Sequence, residues 1–107
     1  MTRADLPLAV QAVQAAHAAL DLAVAHPELT SAWHASSNTL VLLAVPDELA
    51  LCWLLEDACR RQLIAVPFHE PDLGDALTAV ALEPQAARLC SKYPLALAEG
   101  ARHDHDS

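Results

Sequence analysis

Residues 40–48 read LVLLAVPDE, an unbroken apolar run followed by a proline and two acidic residues. An apolar run of this length suits a strand that is buried on both faces. Asp47 fits the cap of a following helix, and Glu48 is favourable in its first turn because of the helix dipole. The stretch therefore predicts a central strand at residues 40–45 and a helix that ends near Arg61.

The elements on either side continue this pattern. An alanine-rich helix is predicted to begin near Pro7, where Asp5 can cap it, and to end before Pro27. Residues 27–38 are interpreted as a connection. Further strands are predicted at residues 64–69 and 77–82, and a short helix at 84–91. Strands that alternate with helices indicate an α/β layered domain.

Composition points to one small domain. The chain has 107 residues, of which 54% are hydrophobic and only 4% aromatic, so the core must be built from Ala, Leu and Val. We expect the domain to occupy residues 1–98 and the polar residues 99–107 to form a disordered tail. No apolar run approaches the roughly 18 residues of a membrane span, and no signal peptide is visible, so we expect a cytoplasmic protein without membrane contact. Three cysteines without a Cys-x-x-Cys pair predict buried thiols at Cys52 and Cys59, with no zinc, other metal or cofactor.

Two polar residues stand out in the first predicted helix. Gln14 and His17 are three residues apart and share one helix face, surrounded mainly by alanine. If they are buried, both side chains need hydrogen-bond partners, because an unsatisfied polar group costs about 1–3 kcal/mol. The pair therefore predicts either a structural network in the core or the edge of a functional site.

The order of several short motifs resembles the type II peptidyl-tRNA hydrolase family. The segments RADL (residues 3–6) and QAAHA (residues 14–18) are similar to the family's Arg-x-Asp-Leu strand end and the Ala-Gln-x-x-His-Ala helix that follows it. The resemblance continues through Trp33, residues 38–45 and residues 68–81. It implies a mixed, mostly parallel sheet of about four strands flanked by helices, and a hydrolase of peptidyl- or aminoacyl-tRNA.

The resemblance also implies a site. His17 and Thr78 match the family's histidine and threonine, Glu70 is the nearest counterpart of its aspartate, and Asp72 is the rival for that position. The implied catalytic residues are His17, Glu70, Asp72 and Thr78. The implied substrate-binding residues are Asp5, Gln14 and Asn38.

The sequence departs from the family in its cations. The family carries a lysine in a Gly-Lys-Gly-Lys segment, but residues 6–13 read LPLAVQAV and contain neither glycine nor lysine. The net charge is −8 with only six Lys and Arg residues, whereas proteins that hold tRNA usually carry a basic surface. A tRNA partner is therefore possible but disfavoured, and we expect any hydrolysis to be weak.

The start of the sequence raises a further expectation. Met1 lies two residues before Arg3, so most of the strand that ends in Arg-x-Asp-Leu is predicted to be missing. A sheet with an open position exposes unpaired backbone. Together with an alanine- and leucine-rich surface, this predicts a homodimer.

Other interpretations remain open. The fold could serve as a non-catalytic binding module for a protein or small metabolite, or as a hydrolase of a smaller ester or amide that uses His17 with Glu70 or Asp72. His17 could also be a satisfied core histidine, and residues 70–75 an ordinary solvated turn in which Gly74 has a positive φ. The segment HDHD at residues 103–106 is interpreted as incidental, although its composition is that of a weak metal chelator.

Overall fold

A computed structural model describes residues 1–98. The elements are β1 (Thr2–Arg3), α1 (Leu8–Ala25), α2 (Pro27–Ser36), β2 (Ala44–Val45), α3 (Glu48–Arg60), β3 (Ala65–Glu70), β4 (Ala76–Leu82) and α4 (Ala87–Cys90), with 3-10 turns at Pro71–Leu73 and Pro84–Ala86. The predicted tail at residues 99–107, with its segment at 103–106, lies outside the described residues.

The four strands form one mixed sheet in the order β2-β1-β4-β3. Only β1 and β2 are parallel, whereas β4 runs antiparallel to both of its neighbours. The α/β class and the four strands agree with expectation, but the prediction of a mostly parallel sheet is wrong. The reason is the short loop of residues 71–75, which joins β3 and β4 as a hairpin and leaves no room for a crossover.

The apolar run at residues 40–45 is not a central strand. Only Ala44–Val45 is strand, β2 lies at one end of the sheet, and Leu40 and Val41 are 78% and 56% exposed. On its outer side the segment bonds to residues 94–96: the amide of Ala44 donates to the Pro94 carbonyl at 3.0 Å. An unbroken apolar run does not encode which residues pair, and here a late segment of the chain covers the edge.

A strand of two residues lies inside the sheet at the place where the resemblance suggested one. Thr2 pairs with Ala44 on one side and with Ala79 on the other, and its side chain is fully buried. After Arg3 the chain leaves the sheet, and side chains take over the pairing with β4. The Arg3 guanidinium donates to the Leu77 carbonyl at 3.0 Å, and Glu48 accepts from the Leu77 amide at 2.8 Å.

The sheet carries α1 and α3 on opposite faces. Leu51 and Leu54 of α3 pack with Leu77 and Val80 of β4 in the main apolar cluster, which also includes Met1, Val45, Ala86 and Cys90. The other face of β4 meets α1, because Thr78 bonds to Gln14. The core is therefore apolar under α3 and contains polar contacts under α1.

The helix boundaries correct two details of the prediction. Residues 27–36 form α2 rather than a connection, because Pro27 occupies the first turn of a new helix in addition to ending the previous one. Pro7, with no side-chain cap, precedes α1, so Asp5 does not cap that helix. The cap of α3 is confirmed: the Asp47 carboxylate accepts from the Ala50 amide at 2.9 Å.

The outer surface of α1 is apolar. Its buried residues are Gln11, Gln14 and Ala18, whereas Leu20 and Val24 are 64% and 82% exposed. By length and composition alone, this helix is long and apolar enough to cross a membrane. A core helix or a signal sequence meets the same criterion, so the observation is weak evidence for a membrane contact.

Candidate functional site

Gln14 connects α1 to both strands of the β3–β4 hairpin. Its Oε1 accepts from the Thr78 hydroxyl at 2.7 Å, and its Nε2 donates to Glu70 Oε1 at 2.9 Å. Gln14 is 4% exposed and Thr78 is fully buried. Three residues that the resemblance singled out in two distant parts of the sequence therefore form one hydrogen-bonded network.

A bulge in β4 aims Thr78 at the helix. Phe68 is opposite Ala79 and His69 is opposite Leu77, so Thr78 is an extra residue without a partner on β3. A bulge turns two successive side chains to one face and can re-aim a side chain at a site. It allows Thr78 to face α1 while Leu77 and Val80 both face α3. The Thr78 hydroxyl also lies 3.3 Å from the Phe68 carbonyl, which it can reach as a second acceptor.

His17 lies beside this network at the surface. Its ring stacks on Phe68 with centroids 4.6 Å apart and planes 6° from parallel. The side chain is exposed, so the interpretation of His17 as a buried core histidine is wrong. Position 17 follows the buried Gln14 by three residues, but it lies toward the edge of the helix–sheet contact. The imidazole is thus fixed on one face and open to solvent around the rest of the ring.

The turn that follows β3 is built around Glu70. Its backbone carbonyl accepts from the Asp75 amide at 2.9 Å, and its Oε2 lies 3.4 Å from the Asp72 amide. Gly74 and Asp75 both have positive φ, of 64° and 60°, which lets the turn close. Asp72 is exposed and contributes its amide to this arrangement, whereas Glu70 contributes its carboxylate to Gln14. Geometry therefore favours Glu70 over Asp72 as the partner of the helix residues.

Arg3 and Asp5 form a separate pair next to the end of β1. The guanidinium donates two hydrogen bonds to the Asp5 carboxylate, at 3.0 and 2.9 Å. This bonding raises the pKa of Arg3 and lowers the pKa of Asp5. Because Arg3 also holds the Leu77 carbonyl, the predicted substrate-binding residue Asp5 has a structural partner.

Asn38 is not brought into the network by any hydrogen bond among residues 1–98. It follows α2 with a positive φ of 50°, and its Oδ1 lies 3.1 Å from His34 Nδ1. Asparagine tolerates this left-handed conformation after a helix. The structure thus shows a local role for Asn38 at the end of α2.

Two contributors were missed by sequence reasoning. Phe68 was part of the resemblance but was assigned no role, although it supports the His17 ring. Glu48 was interpreted only as a first-turn acid, although it holds the backbone of β4. Neither role has a sequence signal, since each depends on contacts between distant segments. Within residues 1–98, no group of three or more His, Cys, Asp and Glu side chains is arranged to hold a metal ion.

Comparison with protein-family models, curated proteins and solved structures gave no match to this chain. The resemblance to the type II peptidyl-tRNA hydrolase family therefore stays a prediction from short motifs.

Proposed function

We propose that the chain is a weak hydrolase of peptidyl- or aminoacyl-tRNA, related to the type II peptidyl-tRNA hydrolases. The observation that carries this proposal is the network of Gln14, Glu70 and Thr78, with His17 one helical turn from Gln14. These residues come from three segments and were each selected by comparison with the family's motifs. The exposed imidazole adjoins this network, because it stacks on Phe68, whose carbonyl lies 3.3 Å from the Thr78 hydroxyl. This proximity supports a common role.

His17 is the group that acts on the substrate in this proposal. Imidazole is the side chain best suited to exchange a proton near neutral pH, and here it is exposed and held against Phe68. It would take the proton of a water molecule that attacks the ester carbonyl, and it would return that proton to the leaving ribose oxygen. Glu70, at the neighbouring surface, provides a carboxylate that can orient the water or the imidazolium.

Gln14 and Thr78 act as positioning residues. Thr78 has no exposed surface, so its hydroxyl cannot contact a substrate unless Gln14 moves. The hydroxyl instead fixes the orientation of the Gln14 amide, whose Nε2 then points at Glu70. This refines the expectation that Thr78 is itself catalytic.

The expected rate is low because cations are scarce. Residues 4–25 contain no Lys or Arg, and Arg3 is already bound to Asp5 and to the Leu77 carbonyl. Loss of one oxyanion donor typically costs about 100-fold or more in rate. Few phosphate contacts also make tRNA binding weak, and the contacts that remain weaken further as salt rises.

A second candidate is a binding module without catalysis. It is favoured by the closed nature of the network, in which the Gln14 amide bonds to Thr78 and Glu70 rather than facing a ligand. The exposed apolar residues of α1, such as Leu20 and Val24, would then contact a protein partner. This candidate predicts binding that does not depend on His17 chemistry.

Turnover of purified peptidyl-tRNA distinguishes the candidates. We expect slow hydrolysis that falls by at least about tenfold in His17→Ala, as expected for loss of a general base. The matched control is His69→Ala: His69 is an exposed histidine on β3, and strand alternation places it on the face opposite Phe68 and Glu70. Turnover should also decrease as salt rises from about 50 to about 200 mM.

The outcomes are separable. Equal turnover by His17→Ala and the natural sequence would show that the proposed chemistry is wrong. Complete absence of turnover favours the binding module. Hydrolysis of a small aminoacyl ester, but not of peptidyl-tRNA, favours an esterase that acts on a smaller substrate.

A lysine added to the first turn of α1 provides a gain-of-function test of peptidyl-tRNA hydrolysis. Val10 is the position nearest the family's lysine, but it is half-buried, whereas Ala9 is exposed. Ala9→Lys therefore adds the charge with less risk to folding. We expect it to raise turnover, while Ala9→Gln serves as the neutral control.

A further inference from the structure

A surface depression of about 430 Å³ lies between the end of α3 and the segment of residues 85–92. Its lining includes Arg61, Arg88 and Lys92. The whole chain has only six Lys and Arg residues, so half of its cations line this one feature. Within residues 1–98 no carboxylate belongs to the lining. The charged groups that line this depression are therefore all cations, in a protein of net charge −8.

The helix dipole and local side-chain contacts account for only part of this clustering of cations. Arg61 follows α3, where a cation is favourable at the negative end of the helix dipole, and its Nε lies 3.3 Å from Asp57 Oδ1. Lys92 lies 5.4 Å from the centre of the Tyr93 ring, a weak exposed cation–π contact. Arg88 belongs to α4, a helix of four residues, where a dipole contributes little. Neither contact explains why the three cations face a common depression.

This depression is distinct from the Gln14 network. It lies where the chain enters β3, beside Leu63, whereas the network lies at Glu70, where β3 ends. The six residues of β3 separate the two places by roughly 17 Å along the strand. The depression is also formed by segments on the α3 side of the sheet, whereas His17 lies on the α1 side.

The remaining lining groups fit a ligand that combines an anion with an organic part. Gln85 and Ser91 add neutral polar groups, while Leu63 and Leu89 provide apolar surface. Arginine binds phosphate oxygens through paired N–H donors, and lysine adds a point charge. The depression is open to solvent, and its volume near 430 Å³ is large enough for a small molecule.

We propose that this depression binds a phosphate-bearing small molecule, with Arg61, Arg88 and Lys92 on the phosphate and Leu63 and Leu89 against the organic group. This site does not depend on the hydrolase proposed above. A long nucleic acid is the less favoured occupant, because its backbone needs a continuous basic strip, and three cations at one depression do not form one.

The test is a titration of the full chain with AMP and with inorganic phosphate. Binding is measured by calorimetry and by the NMR chemical shifts of the backbone amides. We expect binding in the micromolar to millimolar range, with shifts at residues 61–63 and 85–92. Arg88→Gln and the double variant Arg61→Gln/Lys92→Gln should each weaken binding about tenfold or more. Tighter binding of AMP than of phosphate supports the assignment of the apolar surface to an organic group, whereas equal affinity would overturn that part of the proposal.

Arg60→Gln is the matched control. Arg60 is an exposed arginine in the last turn of α3 and pairs with the same Asp57, but it does not line this depression. We expect its affinity to change less than about twofold. An equal loss in Arg60→Gln would attribute binding to net charge and overturn the proposal. Absence of binding by both ligands at about 10 mM, or tighter binding of an RNA oligonucleotide than of AMP with shifts in the same residues, would also overturn it.

Discussion

Replacement of Thr78 by valine tests whether the buried network holds α1 on the sheet. Thr78→Val keeps the shape of the side chain and removes the hydroxyl that donates to Gln14 Oε1 at 2.7 Å. Because Gln14 is only 4% exposed, water cannot easily replace the lost donor. We therefore expect the free energy of unfolding to fall by about 1–3 kcal/mol, the usual cost of a buried group left unsatisfied.

Replacement of Gln14, the partner of Thr78, should lower the free energy of unfolding less than replacement of Thr78. Gln14→Met removes the amide, after which the Thr78 hydroxyl can still donate to the Phe68 carbonyl at 3.3 Å. Glu70 is only half-buried, so water can replace the Gln14 donor. The double variant removes the Gln14 amide together with the Thr78 hydroxyl, so the buried Gln14 acceptor is no longer left unpaired. Replacing both members of a buried hydrogen bond by apolar groups can be nearly neutral, so the two changes should be strongly non-additive.

Urea unfolding of the four proteins, followed by circular dichroism, measures this coupling. Thr39→Val is the control, because the Thr39 hydroxyl is exposed and makes a long hydrogen bond of 3.3 Å to the Ser37 carbonyl. We expect its free energy of unfolding to change by no more than about 0.5 kcal/mol. The reasoning is refuted if Thr78→Val also stays within about 0.5 kcal/mol, or if the double variant shows the sum of the two single effects.

Three further expectations concern charge, thiols and assembly. The Arg3 guanidinium lowers the pKa of Asp5, so the pair stabilises the fold above the ordinary carboxyl pKa of about 4, and this contribution disappears as pH falls through the lowered value. Asp5→Asn should therefore cost up to about 1 kcal/mol near neutral pH and progressively less as pH falls through the lowered value, as measured by urea unfolding; a cost that does not change with pH would contradict this. Burial raises the pKa of Cys90, whereas Cys59 is exposed, so a thiol reagent should modify Cys59 first and Cys90 last. We expect a homodimer through the apolar surface of α1. In sedimentation the Leu20→Glu variant should therefore be a monomer. A natural chain that is itself a monomer at micromolar concentration would exclude this dimer.

The sequence predicted best those features that depend on local chemistry. Asp47 as the cap of α3 could be recognised because a short acidic side chain before an apolar-periodic segment bonds the first free amides. The hairpin strands were located to within a residue or two from apolar runs around the turn at residues 71–75. Each of these signals lies within a few residues of the structure that it predicts.

Features that depend on distant partners were predicted less well. The apolar run at residues 40–45 suggested a central strand, yet its outer side bonds to residues 94–96, which no local pattern specifies. Cys59 was expected to be buried, but the helix turns it to the surface. A buried core position was one of two interpretations of His17, but a helix position three residues from Gln14 can already lie at the edge of a contact. Burial depends on where the neighbouring element ends, and one sequence does not give that boundary.

The polar contact under α1 has a consequence for any attempt to separate folding from function. The residues that α1 buries are Gln11, Gln14 and Ala18. Of these, Gln14 hydrogen-bonds to the sheet, whereas the Gln11 amide donates to the Leu6 carbonyl just before the helix. Changes at Gln14 or Thr78 therefore disturb the attachment of the helix and the proposed site together. His17 differs, because it is exposed and its contact is the face of one ring. Loss of activity in His17→Ala without loss of stability would separate chemistry from folding, whereas the variants of Gln14 and Thr78 report on both.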